Sequence, residues 1–304
     1  MKRRDFFKTA IGAAAVAGSG TALGHVFRYS AGAAPAAYDL VAVRGGDAET
    51  MFERGIEAFG GMGAFVRKGQ KVVIKPNIGW DVAPERAGNT NPKLVARIIR
   101  HCLQAGAKEV HVFDHTCDNW QRCYRNSGIE SAVKDAGGKI APGNSESYYQ
   151  EVGIPGGKTL KRAKEHELML GADVIINVPV LKHHSSSRLT VGMKNLMGVV
   201  WDRGVWHGTD LHQCIADFAT YRKPALNVID AGAVMKRNGP RGVSVEDVVQ
   251  LKAMVLSKDI VAGDAAAARL FGMDPADVRH IALAAEAGVG RRDLESLSIK
   301  RIAL

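Results

Sequence analysis

The sequence predicts an α/β protein of three layers: a largely parallel sheet with helices on both faces and a small irregular insert. Three observations carry that expectation. Short runs such as Val72-Val73-Ile74 and Val174-Ile175-Ile176 are continuously apolar, as strands buried on both faces are. Between such runs lie segments whose apolar residues recur at helical spacing. The two kinds alternate along the chain, which is the pattern of βα units.

The first 36 residues stand apart. Lys2-Arg3-Arg4-Asp5-Phe6-Phe7-Lys8 precedes a mild apolar run from Ala10 to Leu23, then small residues around Ala31 to Ala37. Paired arginines followed by Phe-Phe-Lys read as a twin-arginine export signal, an address for the translocation machinery. The run is too short and too rich in Gly and Ala to span a bilayer comfortably. The expected organisation is a signal over residues 1–36, a single α/β domain over 37–304 and a periplasmic location. Setting aside Lys2, Arg3, Arg4, Lys8 and Arg28 against Asp5 lowers the net charge from +10 to +6. That balance suits anionic small molecules or an acidic partner surface. Without a basic-aromatic motif, nucleic acid is not an expected partner.

The elements follow in order. Tyr38 to Arg44 reads as the first strand and Glu49 to Phe59 as a helix closed by Gly60 and Gly61. Lys71 to Ile74 is a strand that delivers Lys75-Pro76-Asn77 at its end. Thr90-Asn91-Pro92 supplies a cap and a first-turn proline for a helix to Gln104. Glu109 to Phe113 is a strand ending in Asp114-His115, and Asn126 to Ala136 a short helix. Residues 139–160 read as an irregular connection or small antiparallel insert, and Arg162 to Leu170 as a helix. Val174 to Val178 is the central strand, and Pro179 marks where it leaves regular pairing. Asp210 caps a helix with Leu211, Cys214, Ile215 and Phe218 on one face. Ala225 to Ile229 is a strand ending in Asp230, and Lys252 to Leu256 another. Gly263-Asp264 opens a helix that closes at Gly272, and Asp274-Pro275 opens the last one.

Four cysteines are too few for a disulfide scaffold. Cys102 and Cys214 fit helical core positions, while Cys117 and Cys123 could close a small disulfide loop or stay free. Neither a C-x-x-C-H haem site nor a closely spaced cysteine run exists, so the chain is expected to bind no c-type haem and no iron–sulfur cluster.

Four strands finish in polar groups: Lys75 and Asn77, Asp114 and His115, Asn177 with Lys182 to His184, and Asp230. In a parallel sheet those ends share one edge, where open α/β folds place their ligand crevices. The central stretch then adds Lys194-Asn195, His207 and His212. A single polar residue at a strand end is ordinarily a cap or a solvated tip; the coincidence of four points to a site.

The pattern resembles the domain-of-unknown-function 362 family. The likeness rests on K-P-N after a buried strand, N-V-P-V-L-K-x-H, T-x-x-x-K-N-L-x-G, a later His, Asp230 followed by Gly239-Pro240, and L-S-K-D-I-V-A-G-D-A. It covers roughly residues 38 to 290. It implies Lys75, Asn77, Lys182, His184, Lys194, Asn195, His207, Asp230 and Asp264 as signature positions. Many relatives carry a ferredoxin-like module with two four-iron clusters; the cysteines for it are absent from this sequence.

Three chemistries fit these residues. A divalent transition metal could be held by His184, His207 and Asp230, helped by His183, His212 or His115, with ligands from separate loops as catalytic sites have. Adjacent His183 and His184 cannot both face it from an extended chain. In the second chemistry, Lys75, Lys182 and Lys194 hold a carboxylate or phosphate, Asn77 and Asn195 add hydrogen bonds, and His184 or His207 transfers the proton, so that Lys182, His184, Lys194 and His207 are the expected catalytic residues and Lys75, Asn77, Asn195 and Asp230 the expected ligand-binding ones. Here a desolvated lysine is a base or nucleophile. The third is non-enzymatic: delivery of a cofactor to a periplasmic redox or maturation partner, for which Trp120, Trp201 and Trp206 would mark the contact surface, although the preferred reading of these tryptophans is core or pocket lining, with Trp201 and Trp206 as a wall over the site. The leading expectation is a metal-assisted or acid–base enzyme acting on an anionic small molecule. No P-loop, nucleophile elbow or G-x-G-x-x-G occurs.

Overall fold

The computed structural model describes residues 38–304; the expected export signal lies outside them. The strands are β1 (Leu40–Arg44), β2 (Lys71–Pro76), β3 (Glu109–Val112), β4 (Lys139–Ile140), β5 (Tyr149–Gly153), β6 (Arg162–His166), β7 (Val174–Val178), β8 (Val180–His184), β9 (Arg188–Thr190), β10 (Leu226–Met235), β11 (Val248–Ser257) and β12 (Ile299–Ala303). The main sheet runs β12-β1-β11-β10-β7-β2-β3-β4, with β8 paired to both β10 and β9. From β10 to β4 every neighbouring pair is parallel. β11 is antiparallel to both β1 and β10. The sheet is therefore mixed, mostly parallel and α/β as expected.

Alternation along each strand splits the core between two faces. Leu40 and Ala42 of β1 belong to one apolar cluster, Val41 and Val43 to the other. The helices are α1 (Ala48–Ala58), α2 (Pro92–Gln104), α3 (Trp120–Asn126), α4 (Ile129–Asp135), α5 (Glu167–Leu170), α6 (Gly192–Asn195), α7 (Gly204–Gly208), α8 (Leu211–Tyr221), α9 (Ile260–Phe271) and α10 (Arg279–Glu286). Phe52 and Ile56 of α1 and Leu94 and Ile98 of α2 cover one face; Ile215 and Phe218 of α8, Val261 of α9 and Ile281 of α10 cover the other. Three layers result.

Four local expectations need correction. The helix expected over 126–136 is α4 alone, and a further helix, α3, precedes it and ends at Asn126; Gly128, whose φ of 73° lies in the left-handed region, separates the two. The segment 162–170 is helical only from Glu167. Arg162–His166 pairs antiparallel with β5 as a two-stranded insert, and its burial has period two, Ala163 and Glu165 inward. The Glu165 carboxylate there meets Arg222 Nε at 2.8 Å, a tertiary contact that overrides helical composition. The residues after Pro179, where regular pairing was expected to end, pair again as a hairpin, β8 and β9. Most consequentially, the strand expected to stop before Asp230 runs on to Met235, because β11 continues to pair with it.

Candidate functional site

The site grows out of one polar row on the sheet. Lys75 of β2, Asn177 of β7, Asn227 of β10 and Ser257 of β11 are aligned register partners, all fully buried. Their strands place Val73, Ile175, Ile229 and Val255 two positions away in the same apolar cluster, so the row faces the layer of α8 and α9. Buried polar groups must be satisfied, and here they satisfy one another. Asn77 Nδ2 donates to Asn195 Oδ1 at 3.1 Å, and Asn195 Nδ2 to Asn177 Oδ1 at 2.9 Å. Asn177 Nδ2 donates to Asn227 Oδ1 at 3.0 Å, and Asn227 Nδ2 to the Ser257 carbonyl at 3.3 Å.

Two anchors hold the loop that brings Asn195 to this row. Asn195 Nδ2 donates to the Lys75 carbonyl at 3.0 Å. The Asp264 carboxylate, fully buried within α9, accepts from the backbone N–H groups of Gly192 at 2.7 Å and Met193 at 3.0 Å. Burial pushes the Asp264 carboxyl up to about 7. The helix carrying it begins at Ile260 after the Asp259 cap, earlier than expected, so Asp264 sits in mid-helix and acts as a backbone clamp.

Above the row lies a cavity of about 260 Å³. Six of the eight predicted site residues line it: Asn77, Lys182, His184, Lys194, Asn195 and His207. Lys75 lies directly beneath, its ammonium 3.0 Å from Asp114 Oδ1 and 2.6 Å from the Pro76 carbonyl. Asp230 is elsewhere. It opens onto a separate depression of about 490 Å³ that contains none of the other seven. Its carboxylate accepts from Asn91 N at 2.9 Å and Gly232 N at 3.1 Å, fixing the start of α2. The extension of β10 past residue 230 is what removes it from the crevice.

Each cationic group has a distinct environment. Lys182 Nζ donates to Asn77 Oδ1 at 3.0 Å and to the Gly88 carbonyl, with no carboxylate bonded to it. Burial brings its pKa down to about 7. The Lys194 ammonium, half-buried, makes no hydrogen bond or ion pair among the described residues, and burial brings it down to about 8. Burial also holds Lys75 below the usual lysine range, against the pull of Asp114. The Arg203 guanidinium closes one wall, donating to the carbonyls of His115 and Thr116 and lying 3.5 Å from Cys117 Sγ.

His184 has its tautomer set by the hairpin turn. Its Nδ1 accepts from Ser186 N at 3.1 Å and Ser187 N at 3.3 Å, so its proton belongs on Nε2. Burial, then Lys194 and Lys182, brings the ring down to about 2. His184 is thus a neutral N–H donor. His207 lies 6.5 Å from it between ring centroids, exposed on α7 and held below the usual imidazole range by burial. A metal held by His184, His207 and Asp230 does not fit this donor set. Asp230 is in another depression, and a Nε2 lone pair on His184 would set a Nδ1 proton against two backbone donors. Among the described residues no group of three His, Cys, Asp or Glu side chains is placed to hold a metal ion.

Neighbouring His183 turns away, its Nδ1 accepting from Gly239 N at 3.1 Å. His212 leaves the crevice to pair with His280, Nδ1 to Nδ1 at 3.1 Å. The tryptophans form no shared contact surface: Trp206 is in the core against Phe218, Trp201 stacks on His115 at 4.8 Å, and Trp120 packs on the opposite cluster.

Four further residues belong to the cavity. Asp114 and His115 are the strand-end groups after β3, His115 being one of the candidate metal ligands. Cys117 is an exposed free thiol on the wall, and buried Cys123 is also free. Thr190, 3% exposed and opposite Lys182 in the hairpin register, has a hydroxyl with no hydrogen-bond partner. The T-x-x-x-K-N-L-x-G stretch that drew attention to Lys194 and Asn195 begins at this Thr190 and ends at Gly198, on the cavity floor.

A thylakoid-associated protein of Synechocystis sp. is 29% identical over 243 residues, covering 75% of this chain and 71% of its own. Among solved structures, a lactate racemase apoprotein from Thermoanaerobacterium thermosaccharolyticum aligns with TM-score 0.44 and 13% identity, over 72% of this chain and 54% of that one. A Thermotoga maritima protein aligns with TM-score 0.45 and 11% identity, over 78% and 59%. The chain thus spans little more than half the length of those two structures. The model of the family described as domain of unknown function (DUF362) matches residues 72–269, a span holding the polar row, the hairpin and every predicted site residue, and the chain belongs to that family.

Proposed function

We propose that the protein is an acid–base enzyme acting on a small molecule that carries a carboxylate or phosphate group. One observation carries this reading: the cavity holds an unpaired ammonium, Lys194, beside a buried hydroxyl without a partner, Thr190. A buried hydroxyl left unbonded costs free energy, and an anion oxygen in the cavity would relieve it. Lys194, Thr190 and the Nε2–H of His184 hold the anionic group. Lys182, whose pKa of about 7 lets it gain or lose a proton near neutrality, is the acid–base group. Lys75 and the asparagine row fix Asn77 and Asn195 so that the Lys182 amine is aimed into the cavity.

The test is calorimetric binding of small carboxylates and phosphate esters, followed by NMR in deuterated buffer to detect solvent exchange at carbons next to the bound group. Lys194→Met is expected to lose binding. Lys182→Met is expected to keep binding and lose exchange. A wild type that binds no member of the set would refute the reading. We also propose that residues 1–36 direct the folded chain through the twin-arginine machinery to the periplasm, on the strength of Arg3-Arg4 followed by Phe6-Phe7-Lys8.

A further inference from the structure

Cys117 lies where the anion cavity meets solvent. It is exposed, and its Sγ is 3.5 Å from the Arg203 guanidinium. Gly79 lies under it: a Cβ there would lie 3.9 Å from Cys117 Sγ and 3.6 Å from Asn77 Oδ1, the atom that holds Lys182. Cys117 lines the same cavity as Lys182 and Lys194. The Thr190 hydroxyl, buried and unpartnered on the same cavity, independently calls for a polar ligand there. The remaining cysteines, Cys102, Cys123 and Cys214, are buried.

We infer that Cys117 is a nucleophile of the crevice, and that its ligand class is a small carboxylate with an electrophilic carbon beside the anionic group. The inference rests on the anion-binding reading of the cavity. With an activated double bond conjugated to the carboxylate, the thiol proton passes to the Lys182 amine. The sulfur pair forms the C–S bond at the far alkene carbon, and the π pair moves to the near carbon. That carbon takes the proton back from the Lys182 ammonium, so the thiol has added across the double bond with no other reactant. Lys194 and Thr190 hold the carboxylate in place during the addition.

Iodoacetate and iodoacetamide test this directly, since they match in size and leaving group and differ in charge. In each, the C–S bond forms as iodide leaves with the C–I pair. Rates at Cys117 are read by peptide mapping on reduced full-length protein, with glutathione as the free-thiol reference. A cationic cavity raises the local concentration of the anionic reagent, so the iodoacetate-to-iodoacetamide rate ratio at Cys117 is expected to exceed the glutathione ratio by roughly tenfold or more. Inorganic phosphate should protect the site. Lys194→Met and Thr190→Val, with unchanged circular dichroism, should return the ratio to the glutathione value. Cys117→Ser should abolish the label. A wild-type ratio equal to that of glutathione would overturn the inference. If calorimetry on the same sample shows phosphate binding, that result removes Cys117 alone and leaves the cavity reading standing. If phosphate does not bind either, both fall.

Discussion

Gly198→Ala tests whether the Lys75–Asp114 pair is the floor on which the crevice stands. Gly198 passes so close to the pair that an added Cβ would lie 1.9 Å from Asp114 Oδ1 and 2.8 Å from Lys75 Nζ. Both ionic groups are essentially without solvent contact. Asp114 Oδ2 also accepts from Ile78 N at 2.6 Å, so the carboxylate cannot swing aside without a second loss. Separating a buried pair leaves each charge without its partner, a cost of about 3–5 kcal/mol. At roughly 2–4 °C per kcal/mol for a domain of this size, Tm should fall by about 6–20 °C. Gly204→Ala is the control, because nothing lies within 4 Å of a Cβ at that glycine. Thermal unfolding by calorimetry of wild type and both variants decides the matter. The expectation is a large drop for residue 198 and almost none for residue 204. A change below about 2 °C at residue 198 would show that the ion pair is not held against that backbone, and the account of the cavity floor would fail.

Three other expectations follow from the same geometry. Thr190→Val removes an unbonded buried hydroxyl, so the ligand-free protein should gain about 1 kcal/mol in urea unfolding while its phosphate affinity falls; a loss of stability would mean that the hydroxyl is satisfied after all. The Lys182 pKa is about 7 in the folded chain against an ordinary 10.5, so the unfolded chain holds the extra proton between those values. Stability from this residue therefore rises with pH across that window, on the order of 2 kcal/mol between about pH 7 and 9, and Lys182→Met should flatten the rise measured by urea midpoints. Replacing Arg3 and Arg4 by lysine should retain a periplasmic reporter fusion in the cytoplasm; export unaffected by the change would remove the twin-arginine reading.

Much of the fold was legible because its strands are apolar on both faces, and the capping signals were local. Asn91-Pro92 before α2 and Asp210 before α8 read correctly because a cap needs only its own turn. Arg162–His166 misled because its residues favour a helix while its partner, β5, lies in a segment without a strong strand signal. Six of the predicted residues share one cavity: Asn77, Lys182 and His184 stood out by their place after buried strands, and Lys194, Asn195 and His207 by the stretch that follows. Asp230 was misassigned for the same reason: no local signal says that β10 continues, since the continuation depends on pairing with β11. Thr190, Cys117 and Arg203 were missed because hydroxyl, thiol and guanidinium groups are common in loops. Only the hairpin that sets Thr190 opposite Lys182 gives that hydroxyl its meaning, although it stands at the head of the motif that drew attention to Lys194.

The asparagine row has a direction. Every amide in it presents its oxygen toward the Lys182 end and its N–H toward Ser257, so the dipoles add head to tail across four strands. No single amide can turn over without setting donor against donor on one side and acceptor against acceptor on the other. The oxygen end therefore always meets the Lys182 nitrogen and favours its proton, opposing the desolvation that drives the proton off. Burial outweighs that help, and Lys182 comes down to about 7. An aspartate at any link, having only acceptors when ionised, would break the direction of the whole row and retune the amine from as far away as β10.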